Sequence, residues 1–227
     1  MTILALASLL WLAIHIGISG TAVRAALVRS LGTGAFLAGY SLLSIAALVL
    51  LIWGFRHAVT RPLWALPIDA YWLLVALMLP AFLLLVASVA GANPTAAGQS
   101  LGDAGPRGVT RITRHPMMCA FTLWALVHVL GNGDLASLLF FGTFGVTALA
   151  GMPSIDAKIA ARDPAGWVRL SATTSILPFG AIAAGRNRFV PGEIPWWVWG
   201  AGFVLWAAML HFHARLIGVS PVPGQMI

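Results

Sequence analysis

Charge is what this chain has least of. Only 8% of its 227 residues are Asp, Glu, Lys or Arg, against about 25% in an ordinary soluble domain. So few charges cannot cover a water-soluble surface, and a disordered chain needs more of them still. Cysteine is almost as scarce. The single Cys119 excludes an intrachain disulfide and any zinc or iron–sulfur centre built on several thiolates. Acidic residues number six and lysines one, Lys158. Several sequence signatures are missing too. There is no HExxH, CxxCH, GxGxxG or P-loop string, so zincins, c-type haem proteins, dinucleotide enzymes and NTPases lack their motifs.

What is abundant is apolar. Hydrophobic residues make up 60% of the chain, and the mean hydropathy is +0.93. A membrane-crossing helix takes about 20 apolar residues, so the chain reads as all-α, a polytopic membrane helix bundle forming one domain over residues 1–227. The formal net charge of +7 is spread over short loops with no dense basic run. Such cations set orientation and meet lipid headgroups. The expected partners are membrane lipid and an apolar small molecule, not nucleic acid, and the oligomeric state is left open.

About six spans are predicted: Thr2 to Ser19, Ala35 to Phe55, Leu66 to Ala90, His115 to Leu130, Asp134 to Gly151 and Pro195 to Ile217. The first has no basic flank and no convincing cleavage site, so it reads as a retained helix. Arg24 and Arg29 lie on a short amphipathic stretch. Gly91 to Arg114 is a Gly/Pro/Asn-rich loop, and Gly131-Asn132-Gly133-Asp134 is a turn. Thr173 to Ala184, broken by Pro178, is too short to span and reads as re-entrant or interfacial. Six spans put both termini on one side. Arg107, Arg111, Arg114, Lys158, Arg162, Arg169, Arg186 and Arg188 then gather with Arg24 and Arg29, leaving Arg56, Arg61 and Arg215 opposite. The positive-inside bias therefore places the termini in the periplasm of a bacterial inner membrane.

Six histidines are the main chemical inventory: His15, His57, His115, His128, His211 and His213. Within a bilayer, polar side chains bridge helices or serve function. Neutral imidazole is a common metal ligand. Pro116 suits the first turn of a helix, which sets His115 at its N-cap. Arg111 and Arg114 beside it make an anion-binding corner. Asp69, near a span end, reads as solvated or paired with Arg61, with a proton relay as the functional alternative.

Several strings resemble the NnrU family of bacterial membrane proteins and the related plastid zeta-carotene isomerase. They are Ala13-Ile14-His15-Ile16-Gly17, the Arg24 stretch, Phe55-Arg56-His57, Thr113-Arg114-His115-Pro116 and Trp124 to His128. Asn132-Gly133-Asp134, Thr174 to Phe179, Gly185-Arg186, His213 and Gly218 to Pro221 follow in order. The family is associated with denitrification and nitric oxide reductase expression. The isomerase relation implies haem b, with His15 and His128 as iron ligands in a pocket near Trp11 and Trp124. It also implies a redox-gated cis–trans isomerisation of a polyene or other apolar substrate, or else an accessory role without turnover. The isomerase carries a cysteine three residues before the second ligand, where this chain has Ala125. Cys119 lies on about the opposite helix face from His128 and cannot replace it. Depth along the helices gives a different pairing. His15 and His128 differ by about 10 Å, so His57 or His213 suits His128 better, and His115 suits His15. Candidates for a supporting or substrate-end role are His115, Arg114 and Asp134.

The Arg-His-Pro block also resembles isoprenylcysteine carboxyl methyltransferases and phospholipid methyltransferases, which bind S-adenosylmethionine. Asp156, Gly166, Trp167 and Pro178 fall at comparable places. The second acid of that pattern is absent, since Ile155 and Ala157 flank Asp156. A structural or transport subunit with helix-bridging histidines is the third reading.

Overall fold

A computed structural model describes residues 1–91, 93–95 and 105–222. The middle of the predicted Gly91–Arg114 loop lies outside the described residues. Those described form helices without strands: α1 (Thr2–Ile18), α2 (Ala22–Leu31), α3 (Thr33–Arg56), α4 (Ile68–Ala90), α5 (Val109–Ile112), α6 (Pro116–Asn132), α7 (Leu135–Arg162), α8 (Pro164–Thr173), α9 (Gly180–Ala183) and α10 (Trp196–Ile217). The all-α membrane bundle is thus what the chain builds.

The span count is lower than the predicted six. Among the described residues, α3, α4, α7 and α10 are long and apolar enough to cross, and α1 with α2 makes a fifth only as a pair bent by 81°. α6 is apolar but has 17 residues. At 1.5 Å per residue it covers about 25 Å, less than a hydrocarbon core of about 30 Å. Its length is fixed by its ends. Pro116 occupies the first turn, and Gly133 stops the helix at φ 62° with its N–H on the Val129 carbonyl. That left-handed stop suits glycine. A Cβ there would also strike the Trp64 carbonyl. The Gly133 carbonyl accepts from the Leu63 and Trp64 N–H groups at 2.8 and 3.1 Å, which ties the α3–α4 loop to the α6–α7 turn.

One further boundary differs from expectation. The helix predicted to end near Gly151 continues as α7 to Arg162. Its polar extension carries Asp156, which faces Arg114 and His115 at the start of α6. Thr173–Ala184 is too short to span, as the sequence predicts. It breaks into the end of α8, a turn with Phe179 at φ 62°, and the four-residue α9.

Packing is close where small residues meet. A Cβ on Gly54 would lie 3.0 Å from the Leu4 backbone, and one on Gly202 would lie 2.8 Å from the Leu83 side chain. Such small-residue contacts are how helices associate in lipid. Leu4, Ala7, Leu51 and Ala136 bury one core among α1, α3 and α7, and Ala87, Val109, Ile112, Ile194 and Val198 another. Outward faces carry exposed Leu42, Leu73, Val89, Val204 and Leu216, as a bilayer-facing surface requires.

Candidate functional site

The most connected polar centre lies at the start of α6. His115 is the N-cap, with a side chain that is fully buried. Its Nε2–H donates to Asp156 Oδ1 at 2.8 Å. The Arg114 guanidinium grips the same carboxylate through Nε at 3.0 Å and Nη2 at 2.7 Å. Trp167 on α8 lies against that guanidinium, 5.3 Å from ring centre to Cζ, within cation–π range. His115 Nδ1 is buried and has no partner among the described residues. A second pairing sits close by. Arg111 holds Glu193 with two bonds, Nε at 2.7 Å and Nη2 at 2.8 Å, and reaches Asn187 through Nη1. The Gly108 N–H adds a bond to Glu193 at 2.7 Å. These donors hold the Glu193 carboxyl down at about 2, and the bond to Glu193 in turn pushes the Arg111 guanidinium above its ordinary value. The expected anion-binding corner is therefore built, but Arg111 and Arg114 already hold two of the chain's own carboxylates.

The segment after α8 is strapped against this centre. Phe179 N–H donates to the Ile112 carbonyl at 2.8 Å, the Thr113 hydroxyl to the Ile176 carbonyl at 2.8 Å, and Arg114 N–H to the Ser175 carbonyl at 3.0 Å. Glu193, Asn187 and this strap escape a reading of sequence. Each is remote in the chain from the Arg-His-Pro block, and no spacing pattern links them.

Asp134, the third candidate for a supporting role, lies at the other end of α6. It caps α7, accepting from Ser137 N–H at 3.0 Å and Ser137 hydroxyl at 2.7 Å. Asp69 is exposed in the first turn of α4, where a negative charge complements the helix dipole. No ion pair joins it to Arg61 among the described residues.

The histidines follow a common plan. His15, His57 and His128 each donate Nδ1–H to the carbonyl four residues earlier, those of Trp11, Trp53 and Trp124, at 3.0, 2.8 and 2.8 Å. His213 donates to the Val219 carbonyl. In a neutral ring this leaves the Nε2 lone pair free, the tautomer a metal-bound imidazole needs. His15 lies in the π-helical end of α1, Ala13–Ile18, an irregularity often found at functional sites. Its ring stacks on Trp11 at 3.9 Å. His57 is exposed on Trp53, and His211 is exposed beside Phe212.

Intervening rings separate His15 from His128, among them Trp11, then Phe144 of α7, then Trp124. The Trp11 indole bonds Thr147, whereas His128 stacks on Phe141. Six residues of α7 separate those levels, about 9 Å. His128 instead faces His213 of α10, with ring centroids 6.4 Å apart and planes 29° from parallel. His115 and His128 occupy opposite ends of α6.

Cys119 is buried on the other side of α6, near Thr113 and the Ile176 carbonyl. That side borders a cavity of about 760 Å³ whose lining includes Arg114, Cys119, Met152, Pro178 and Arg186.

Helices of this length and apolarity, with imidazoles and an arginine–carboxylate centre at the ends of a short helix, define a polytopic helical membrane protein with a polar interior. The chain belongs to the NnrU family, whose model, described as NnrU protein, matches residues 3–221. Among curated proteins it is similar to the 15-cis-zeta-carotene isomerase of Zea mays chloroplasts, 34% identical over 83 residues. That match covers 36% of this chain and 22% of the isomerase. The Arabidopsis thaliana chloroplast enzyme of the same name is 34% identical over 82 residues, 35% of this chain and 22% of its own. The matches thus span about a fifth of these relatives' length. No solved structure matches the chain.

Proposed function

We propose that this NnrU protein binds haem b in the bacterial inner membrane, with periplasmic termini. Its role is in denitrification and nitric oxide metabolism or in cis–trans isomerisation of an apolar polyene. The observation that carries the haem reading is the His128–His213 pair. An ion held between two imidazoles at about 2 Å each, a usual metal–imidazole length, sets ring centroids about 6 Å apart. The 6.4 Å separation fits that spacing. Both rings have Nδ1–H committed to a backbone carbonyl, so Nε2 is available to iron. Geometry therefore favours His213 as the partner of His128, while family resemblance favours His15. Similarity to the chloroplast zeta-carotene isomerases supports the isomerase reading.

Bound there, haem supplies a redox-active, Lewis-acidic iron. The chain's own contribution is to orient. The Trp124 and Val219 carbonyls fix the tautomers, and Trp124 and Phe141 pack His128 and exclude water. The test is the Soret band and pyridine haemochrome of protein expressed with haem supplied. His128→Ala and His213→Ala each lose haem on this reading, and His15→Ala keeps it. Loss in His15→Ala with full haem in His213→Ala assigns the pair to His15 and His128. No Soret band in the unmutated protein sinks the haem reading. For orientation, a C-terminal reporter active only in the cytoplasm overturns the periplasmic assignment.

One observation favours a second reading, a membrane methyltransferase. Arg114, His115, Asp156 and Trp167 converge, and Pro178 lines the adjoining cavity. Equilibrium dialysis with S-adenosylmethionine checks it, and no retention removes it.

A further inference from the structure

The cavity beside α6 is divided by chemistry. Its walls are apolar, with Leu84 from α4, Leu123 from α6 and Met152 from α7. Its volume of about 760 Å³ falls within the range of small-molecule sites, about 300–1,000 Å³. Leu126, Leu149 and Leu177 also border it, and they are 50%, 53% and 69% exposed. Leu149 is on the spanning helix α7, where an exposed leucine faces lipid, so the cavity opens sideways toward the bilayer there.

The opposite end is polar and positive. Arg114 and Arg186 both reach it, and among the described residues no carboxylate belongs to the lining. Arg114 is neutralised by Asp156. Arg186 has no such counterion among the described residues: its Nη1 donates to the Ser171, Ala172 and Thr174 carbonyls at the end of α8. Carbonyl oxygens carry only partial charge, so one cation's worth of field remains at this end. A pure hydrocarbon would satisfy the walls and leave the Arg186 charge unmet.

We propose that this cavity binds an amphiphile with a single anionic head and a hydrocarbon chain, admitted laterally from the membrane. The head lies toward Arg186, and the chain lies along Leu84, Leu123 and Met152. The proposal goes beyond the haem reading and does not depend on it. Cys119 and Thr122 border the cavity, whereas His128 is nine residues from Cys119, about 180° around α6. Haem content reports on one site and amphiphile binding on the other, so either can fail alone.

The test uses the full chain in phosphatidylcholine nanodiscs, with energy transfer from its tryptophans to cis-parinaric acid or its methyl ester at about pH 8, where the acid is ionised. Specific binding is the transfer lost when the mouth is filled by Leu126→Trp with Leu149→Trp. The acid is expected to bind at least about tenfold more tightly than the ester. Arg186→Gln removes that preference and Arg186→Lys keeps it. Should Arg186→Gln fail to fold, the unmutated protein still decides. Its acid preference falls when salt rises from about 0.05 to about 0.5 M, which shortens the screening length. A preference below about tenfold, or unchanged acid binding in the filled-mouth variant, overturns the proposal. Displacement of the acid by about 1 mM inorganic phosphate also overturns it, because the site would then be one for a small anion.

Discussion

Asp156 is the residue whose loss should be felt most. Its carboxylate accepts from Arg114 Nε, Arg114 Nη2 and His115 Nε2, at 3.0, 2.7 and 2.8 Å. The side chains are 9% exposed for Asp156, 11% for Arg114 and 0% for His115. Asp156→Ala leaves a guanidinium and an imidazole with nothing to donate to in a site that water scarcely reaches. Removing one partner of a buried ion pair costs roughly 3–5 kcal/mol, most of it the penalty of the stranded charge. For a chain of this size each kcal/mol moves the Tm by about 2–4 °C, so the drop should be roughly 6–20 °C. Thermal unfolding followed by tryptophan fluorescence in detergent reads it. Stranding has a signature that lost packing lacks. Adding Arg114→Met to Asp156→Ala removes the unmatched cation and should return part of the Tm, whereas independent effects would add. A fall below about 2 °C in Asp156→Ala, or a double variant as unstable as the two singles summed, refutes the reasoning.

Two other expectations follow from particular bonds. Glu193 titrates at about 2 against its ordinary 4.5, because Arg111 and the Gly108 N–H favour its charged form. A depressed carboxyl stabilises the fold fully above the unfolded value and loses that contribution as pH falls through the folded one. The Tm gap between the unmutated protein and Glu193→Gln should thus be constant above about pH 5 and close steadily below it. A gap that widens on acidification contradicts the assignment. Gly133→Ala meets both a left-handed backbone and the Trp64 carbonyl, and should cost at least about 2 kcal/mol. Gly185→Ala, at φ 68° in open space, bears only the backbone strain and should cost about 1 kcal/mol. Equal Tm losses for the two alanines would show that the Trp64 contact carries no weight.

Much of the fold was legible because hydropathy and helix ends are local properties. The apolar runs located α1, α3, α4, α6 and α10 to within a few residues. Pro116 and Gly133 marked both ends of α6. Where the sequence misled, the deciding contact was remote. The helix predicted to end near Gly151 runs on to Arg162, and Asp156 on that extension serves Arg114 and His115, 42 and 41 residues away in the chain. Arg111 and Arg114 read as open anion ligands because Glu193 and Asp156 are distant in sequence. Six spans were counted because an apolar run of 17 residues resembles a membrane helix until its caps fix its length.

Depth along the helices and position around them carry different information, and the histidines show why both are needed. Rise per residue separates His15 from His128 by nearly two turns, about 10 Å, and the Trp11–Thr147 and His128–Phe141 contacts place them about that far apart on α7. Depth alone left His57 and His213 equal as partners for His128. Position distinguishes them: His57 is exposed on its own Trp53, whereas His213 projects from α10 to 6.4 Å from His128. The same helix α6 then turns its other face, through Cys119, Thr122 and Leu123, to a cavity containing no histidine. A ligand in that cavity and an ion at His128 would act on one rigid element from opposite sides. Any coupling between them must pass through a shift of α6, whose ends are held by the Asp156 pairing and the Gly133 turn. Asp156→Ala and Gly133→Ala, read for haem content and amphiphile binding together, would expose it: coupled sites change together, and independent sites do not.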